Sequence, residues 1–206
     1  MKDKCHSFEL FTSAESVGAH AEYSRYGMDW ELFQKNIDYF MSNTDPSVRI
    51  TFMTTVDIFA SASFDDMIRM VCDLRKKFDV NRAASRVGFG VNYLRWPKHQ
   101  QITLLDIGEK VNFAKRMDAV IAERTAGGYD VNGNLYMEEV DQIHRLIDWM
   151  MSEQPSHEEL VNFLNVFSEM DERRETDMLE TFPNLRTTFE TGLKLKNKRI
   201  NLTVST

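Results

Sequence analysis

Cysteine is scarce in this chain: of 206 residues only Cys5 and Cys72 carry a thiol. Two thiols cannot build the multi-bridge framework of a small secreted domain, so folding has to rest on a packed core. Together with twelve methionines, that scarcity suits a reducing, cytoplasmic setting. Long apolar runs are missing as well; nothing approaches the roughly 20 residues that cross a bilayer, so no membrane partner is expected. The opening Met1-Lys2-Asp3-Lys4-Cys5-His6 has no apolar stretch of the secretory type. Positive charge is in deficit, with 25 Lys and Arg against 32 Asp and Glu and a formal net charge of −7. That balance opposes a general nucleic-acid surface, whose affinity comes from pairing basic side chains with phosphates. The five histidines lack the i, i+4 spacing of a helical zinc site, and no nucleophile elbow or phosphate-cradling loop occurs. Gly88-Phe89-Gly90 lies within a strand pattern, with no third glycine opening a helix, so it is not a dinucleotide loop.

What is present is enough apolar material for a core: 42% apolar and 11% aromatic residues, with one domain as the natural size class and room for a small second unit. Residues 7–13 read as a strand, apolar at Phe8, Leu10 and Phe11 but interrupted by Glu9, and residues 14–28 read as a loop. Asp29 then caps an amphipathic helix carrying Trp30, Leu32, Phe33, Ile37, Phe40 and Met41. Residues 48–56 are a second strand, apolar and β-branched almost throughout. Ser63 with Asp66 resembles a capping box opening a helix that turns Phe64, Met67, Ile68, Val71, Leu74 and Phe78 inward. Residues 87–94 form a third strand closed by Trp96-Pro97. A helix over about 104–124 follows, with Ile107, Val111, Ala114 and Met117 along its inner side. Cys72, flanked by Ile68, Val71 and Phe78, reads as a small buried hydrophobe.

Strands recurring about every forty residues, each followed by a helix, require crossover connections and so a parallel sheet. Right-handed crossovers place the helices on one face if that sheet curls. The pattern changes after Gly127-Gly128. Helices are expected over about 136–151 and 156–173, the latter opened by a Ser156/Glu159 capping box, then a short one over 177–182. Residues 194–199 are basic, and Ile200, Leu202 and Val204 alternate as a short strand would. The fold class read from this is α/β: a partial (half) βα barrel of three parallel strands over residues 1–126, with a helical C-terminal extension over 127–206.

In a curled parallel sheet, ligands sit beyond the C-terminal ends of the strands. That rule selects Ser13 and Glu15 after the first strand, Thr55 and Asp57 at the second, and Asn92 at the third. The competing reading of each is local: strand-to-helix loops need polar side chains to cap helices and satisfy turns. The acidic and basic run Glu169, Asp171, Glu172, Arg173, Arg174, Glu175 reads as a solvated helical face.

The segment Phe8-Glu9-Leu10-Phe11-Thr12-Ser13-Ala14-Glu15, with Tyr23-Ser24-Arg25-Tyr26-Gly27 ahead of the next helix, resembles the fourth strand and following loop of a radical S-adenosylmethionine barrel. Residues 50–57 and 86–97 are similar to that family's fifth and sixth strands. Residues 170–183 resemble the tail of twitch-domain members found in phages and marine bacteria. The resemblance implies that Ser13 and Glu15 meet the ribose of S-adenosylmethionine, Arg25 its methionyl carboxylate, and Thr55, Asp57 and Asn92 its nucleoside. An Arg suits a carboxylate because its planar fork pairs bidentately. The family's three-cysteine cluster motif lies outside the resemblance. A 4Fe-4S cluster would therefore have to come from a partner chain, and this chain alone should not cleave S-adenosylmethionine.

A half-barrel leaves an uncovered sheet. The expected partner is a cluster-bearing N-terminal-half protein or a second copy forming a homodimer, in which six strands would imitate a full barrel; the chain's own segment 199–204 is the internal candidate. Two functional readings follow: the S-adenosylmethionine-facing half of a split or truncated radical enzyme, or a non-catalytic interaction and assembly protein that keeps the fold without the chemistry.

Overall fold

A computed structural model describes residues 8–79, 85–129 and 131–204, with side chains as far as 198. Three strands, β1 (Phe8–Thr12), β2 (Val48–Val56) and β3 (Val87–Tyr93), form one parallel sheet in the order β1-β2-β3. Leu10 pairs with Ile50, Ile50 with Val87 and Thr54 with Val91, fixing the register across the sheet. The protein is thus mixed α/β, with a parallel sheet built from βα units. Between β1 and β2 lie α1 (Gly18–Ser24) and α2 (Trp30–Asn43), and α3 (Phe64–Phe78) connects β2 to β3. After β3 come α4 (Ile107–Arg124), α5 (Met137–Ser152), α6 (His157–Arg174), the single-turn α7 (Met178–Thr181) and α8 (Arg186–Val204).

Side-chain caps set several helix starts. Asp29 accepts from the Leu32 amide at 2.8 Å, and Ser156 and Glu159 form a reciprocal capping box on α6. Each satisfies amides that the first helical turn leaves without partners.

The fold departs from the sequence reading in five places. Residues 14–28 are not all loop, since α1 occupies seven of them. The Ser63/Asp66 capping box does not form; Ser63 Oγ instead accepts the Val17 amide at 3.2 Å, tying the β1–α1 loop to the start of α3. On α4 the inner face is Lys110, Phe113, Met117 and Val120, while Ile107 is 63% exposed. The helix also begins later than expected, because Asp106 caps it at Gly108 and Glu109. Lys110 is tolerated inside because its stem packs and its Nζ donates to the Glu153 carbonyl, 2.7 Å away at the end of α5. Burial lowers its pKa. Residues 200–204 belong to α8, so they are not a strand and do not pair with the sheet. Asp171 is no solvated charge: it accepts from the Tyr23 hydroxyl, the Thr176 hydroxyl and the Met178 amide, joining α6 to α1 and α7.

One side of the sheet is packed. Ile50, Phe52, Thr54 and Val56 of β2 and Val87, Phe89 and Val91 of β3 are buried with Ile37, Met41, Phe64, Met67, Ile68 and Val71 of α2 and α3. Beyond the end of β2, Phe59 joins Tyr23, Phe167 and Phe182, with ring centroids 4.7–5.5 Å from its own. This aromatic cluster docks α1, α6 and α7 over the covered side of the strand ends.

The outer edge of β3 is closed. Leu94 donates to the Val56 carbonyl of β2 at 3.0 Å, so by alternation Val91 directs its amide away from the sheet. There it meets Gln142 Oε1 of α5 at 2.7 Å, and Arg75 Nε reaches the Val87 carbonyl at 3.0 Å. Side chains thus satisfy an edge that would otherwise invite another strand. Arg75 also pairs with the Glu139 carboxylate, donates to the Asn134 carbonyl and lies 4.0 Å from the Tyr136 ring centroid, all without reaching solvent. Closure of β3 by α5 means that a second copy cannot complete a six-stranded barrel through this edge.

Candidate functional site

The opposite side of the sheet carries the residues of interest. Alternation sends Glu9 and Phe11 of β1, Arg49, Thr51, Met53 and Thr55 of β2, and Gly88, Gly90 and Asn92 of β3 to one face. None of these is buried; Phe11 is 60% and Met53 41% exposed. Parallel sheets are ordinarily covered on both faces, so this surface is the least usual feature of the molecule.

The face has relief. Thr51 fills the space beside Gly88, where an added Cβ would come within 2.2 Å of Thr51 Oγ1, and its hydroxyl donates to Glu9 Oε1 at 2.5 Å. An added Cβ at Gly90 would find nothing nearer than 4.0 Å. Met53 therefore stands on β2 beside the side-chain-free backbone of Gly90, and Phe11 projects from β1 on the far side of β2.

At the C-terminal rim of this face the predicted site residues fall into four placements. Thr55 and Asn92 are register partners on adjacent strands, both exposed on the open face. Glu15 and Arg25 pair directly: Arg25 Nη2 lies 2.8 Å from both Glu15 oxygens and Nε lies 3.0 Å from Oε2. Arg25 is the C-cap residue of α1 and Glu15 precedes that helix, so the pair clasps the β1–α1 segment at both ends. Asp57 follows β2, and its Oδ1 accepts the Ala60 amide at 2.9 Å. Burial pushes the Asp57 carboxyl up to about 7, and the nearby Glu15 charge adds to the rise while the Ala60 hydrogen bond opposes it. Ser13 is exposed at the tip of β1. The fold thus gathers Glu15, Arg25 and Asp57 into one electrostatic neighbourhood, and Thr55 with Asn92 into another at the strand ends.

In this arrangement the Arg25 fork is already filled by Glu15, so an incoming carboxylate would have to displace that side chain. The thiols do not fit a cluster. Cys72 is fully buried in α3, and desolvation pushes its thiol up to about 12, far from the thiolate that iron requires. Cys5 lies outside the described residues. Among the described residues no group of three or more His, Cys, Asp or Glu is placed to hold a metal ion, and no helix is long and apolar enough to cross a membrane.

The half-barrel reading implies an uncovered sheet but not which residues that open face exposes. Its signal was present in β2, where Arg49, Thr51, Met53 and Thr55 alternate with Ile50, Phe52, Thr54 and Val56, a one-sided pattern that a strand buried on both faces would not show. Gln142 and the Arg75–Glu139 pair carry no comparable signal, because their partners are backbone groups and side chains brought together only by the fold. No family model matches the chain, no curated protein matches it, and no solved structure matches it.

Proposed function

We propose that this chain is an interaction and assembly module, a half-covered βα unit whose bare sheet face is completed by another polypeptide. The observation that supports this reading is a parallel sheet with no buried residue on one face, while the other face of β2 and β3 packs against α2 and α3. Such a surface exposes Phe11 and Met53 to water and gains apolar burial only when a partner covers it. A dye that reports apolar surface should bind the dilute native chain, and the paired substitution Phe11→Lys with Met53→Lys should remove most of that signal without lowering the melting temperature. A native chain that takes up no dye, or a variant that melts several degrees earlier, would rule this reading out.

The second reading is the S-adenosylmethionine-facing half of a split radical enzyme, its cluster supplied by a partner chain. What favours it is the gathering of Glu15, Arg25 and Asp57 beyond the strand ends, beside Thr55 and Asn92. The engaged state of Arg25 weighs against it. Calorimetric titration of S-adenosylmethionine separates the two readings: saturable binding lost in Arg25→Ala supports the cofactor half-site, and absence of binding by the well-folded chain leaves the assembly reading alone.

A further inference from the structure

Backbone direction distinguishes the two edges of the sheet. Ile50 donates its amide to the Arg86 carbonyl on the β3 side, so Arg49, Thr51 and Met53 are the residues of β2 that turn toward β1. In a parallel pair a residue bonds the two neighbours of its register partner. Phe8, Leu10 and Thr12, in register with Val48, Ile50 and Phe52, therefore bond β2, and Glu9 and Phe11 send both amide and carbonyl outward. Among the described residues no hydrogen bond reaches those outward groups. The far edge is the contrast, because there Gln142 and Arg75 occupy the Val91 amide and the Val87 carbonyl.

The β1 edge also lacks the usual protections. Its sequence, Phe-Glu-Leu-Phe-Thr, holds no Lys or Pro, and its one charged side chain, Glu9, is engaged by the Thr51 hydroxyl. Phe8 is 47% and Phe11 60% exposed, so neither flank of the strand is covered. Outward amides and carbonyls at alternate residues of a strand match one kind of group, the same pattern on another extended strand.

The chain supplies that pattern itself, in a self-complementary order. Glu9 and Phe11 lie symmetrically about Leu10. Under a two-fold axis perpendicular to the sheet and beside Leu10, β1 runs antiparallel to the same strand of a second copy. Glu9 then exchanges both backbone bonds with the partner's Phe11, and Phe11 with the partner's Glu9, so no outward group of either strand is left over. On the helix-covered side Leu10 meets the partner's Leu10 as the closer, non-hydrogen-bonded pair, and Phe8 lies opposite the partner's Thr12. On the open side each Glu9 faces a phenyl ring, so like charges do not sit directly opposite. The closed β3 edge blocks β1-to-β3 addition, the head-to-tail contact that would propagate into a filament. What remains is the β1-to-β1 contact, which closes at two copies.

We infer that two copies of this chain join through β1, antiparallel about Leu10, into one six-stranded sheet. A strand of five residues makes a short contact, at the weak end of specific interfaces and below ~1,200 Å² in total. This edge is separate from the open face, which the dimer widens and does not cover, so the two readings can fail independently.

Sedimentation equilibrium up to millimolar chain, paired with hydrogen exchange, tests this. The native chain should move from 24.0 kDa toward twice that mass as concentration rises. The Glu9 and Phe11 amides should exchange freely in the dilute chain and slow as it associates. Phe11→Pro deletes an outward donor that β2 does not use, at an edge position where a strand tolerates Pro. It should keep the fold and weaken association about tenfold or more. Phe11→Ala keeps that amide and should associate within a few-fold of native. A native chain that stays monomeric overturns the inference, as does association that Phe11→Pro leaves unchanged. Equal loss in Phe11→Ala also overturns it, because the side chain on the open face would then make the contact. Protection of the Glu9 and Phe11 amides in the dilute monomer would mean that the edge is covered within the chain, and the inference falls. If Phe11→Pro does not fold, the concentration dependence of those two amides in the native chain decides the matter alone.

Discussion

The two faces of the sheet share a backbone and differ in almost everything else. Phe52 and Met53 are neighbours in β2, yet Phe52 is fully buried and Met53 is 41% exposed. On the covered side, α2 and α3 supply Ile37, Met41, Phe64, Met67, Ile68 and Val71, and the fold draws its hydrophobic stabilisation from there. On the open side the same strands contribute little beyond backbone pairing. The pleat of a single strand thus separates the residues that build the core from those left facing water.

The sharpest way to break this comparison is to truncate those two neighbours. Phe52→Ala should cost about 3–5 kcal/mol in chemical denaturation, as expected for a large side chain removed from a packed core. Met53→Ala, measured on the dilute chain, should stay within about 0.5 kcal/mol of native. Equal costs at the two positions would mean that the open face is not open.

Of similar size is the cost of breaking the β3 edge. Arg75→Ala leaves Glu139 as an unpaired buried carboxylate and frees the Val87 carbonyl, so a loss of about 3–5 kcal/mol is expected. Changing Arg75 and Glu139 together to Met should recover a large part of it, because no buried charge then remains unpaired.

A smaller and pH-dependent effect is expected at Asp57. Its carboxyl titrates near 7 in the folded chain, well above its ordinary value, so the folded state holds a proton that the unfolded state has released. Stability from this group is therefore fully present below about pH 4 and is lost as pH rises toward 7. Asp57→Asn should flatten that part of the stability profile, removing a decline on the order of 1–3 kcal/mol after allowance for the solvated part of the group. An unchanged slope between pH 4 and 7 would place the Asp57 carboxylate in an ordinary solvated setting.

The features legible in the sequence are those written in local patterns. The three strands, the Asp29 cap, the Ser156/Glu159 capping box and the burial of Cys72 all follow from spacing and short-range chemistry. Misread features depend on tertiary context. The inner face of α4 was hidden because it includes a charged residue, Lys110, whose Nζ donates to the Glu153 carbonyl at the end of α5. Alternation at Ile200, Leu202 and Val204 suggested a strand, but their stretch of chain continues α8, whose middle packs closely on α6 at Gly192. The candidate site was partly legible: loop position marked Glu15, Arg25 and Asp57, but nothing in the sequence indicates that Glu15 fills the Arg25 fork. The open face was written in the alternation of β2 and was masked by its β-branched composition.

The most direct test of the central claim is the oxidation rate of Met53 in the dilute chain, with Met137, 54% exposed, and the fully buried Met67 as internal references. Met53 should oxidise nearly as fast as Met137 and far faster than Met67. A Met53 that is protected like Met67 in the dilute chain would contradict an open sheet face.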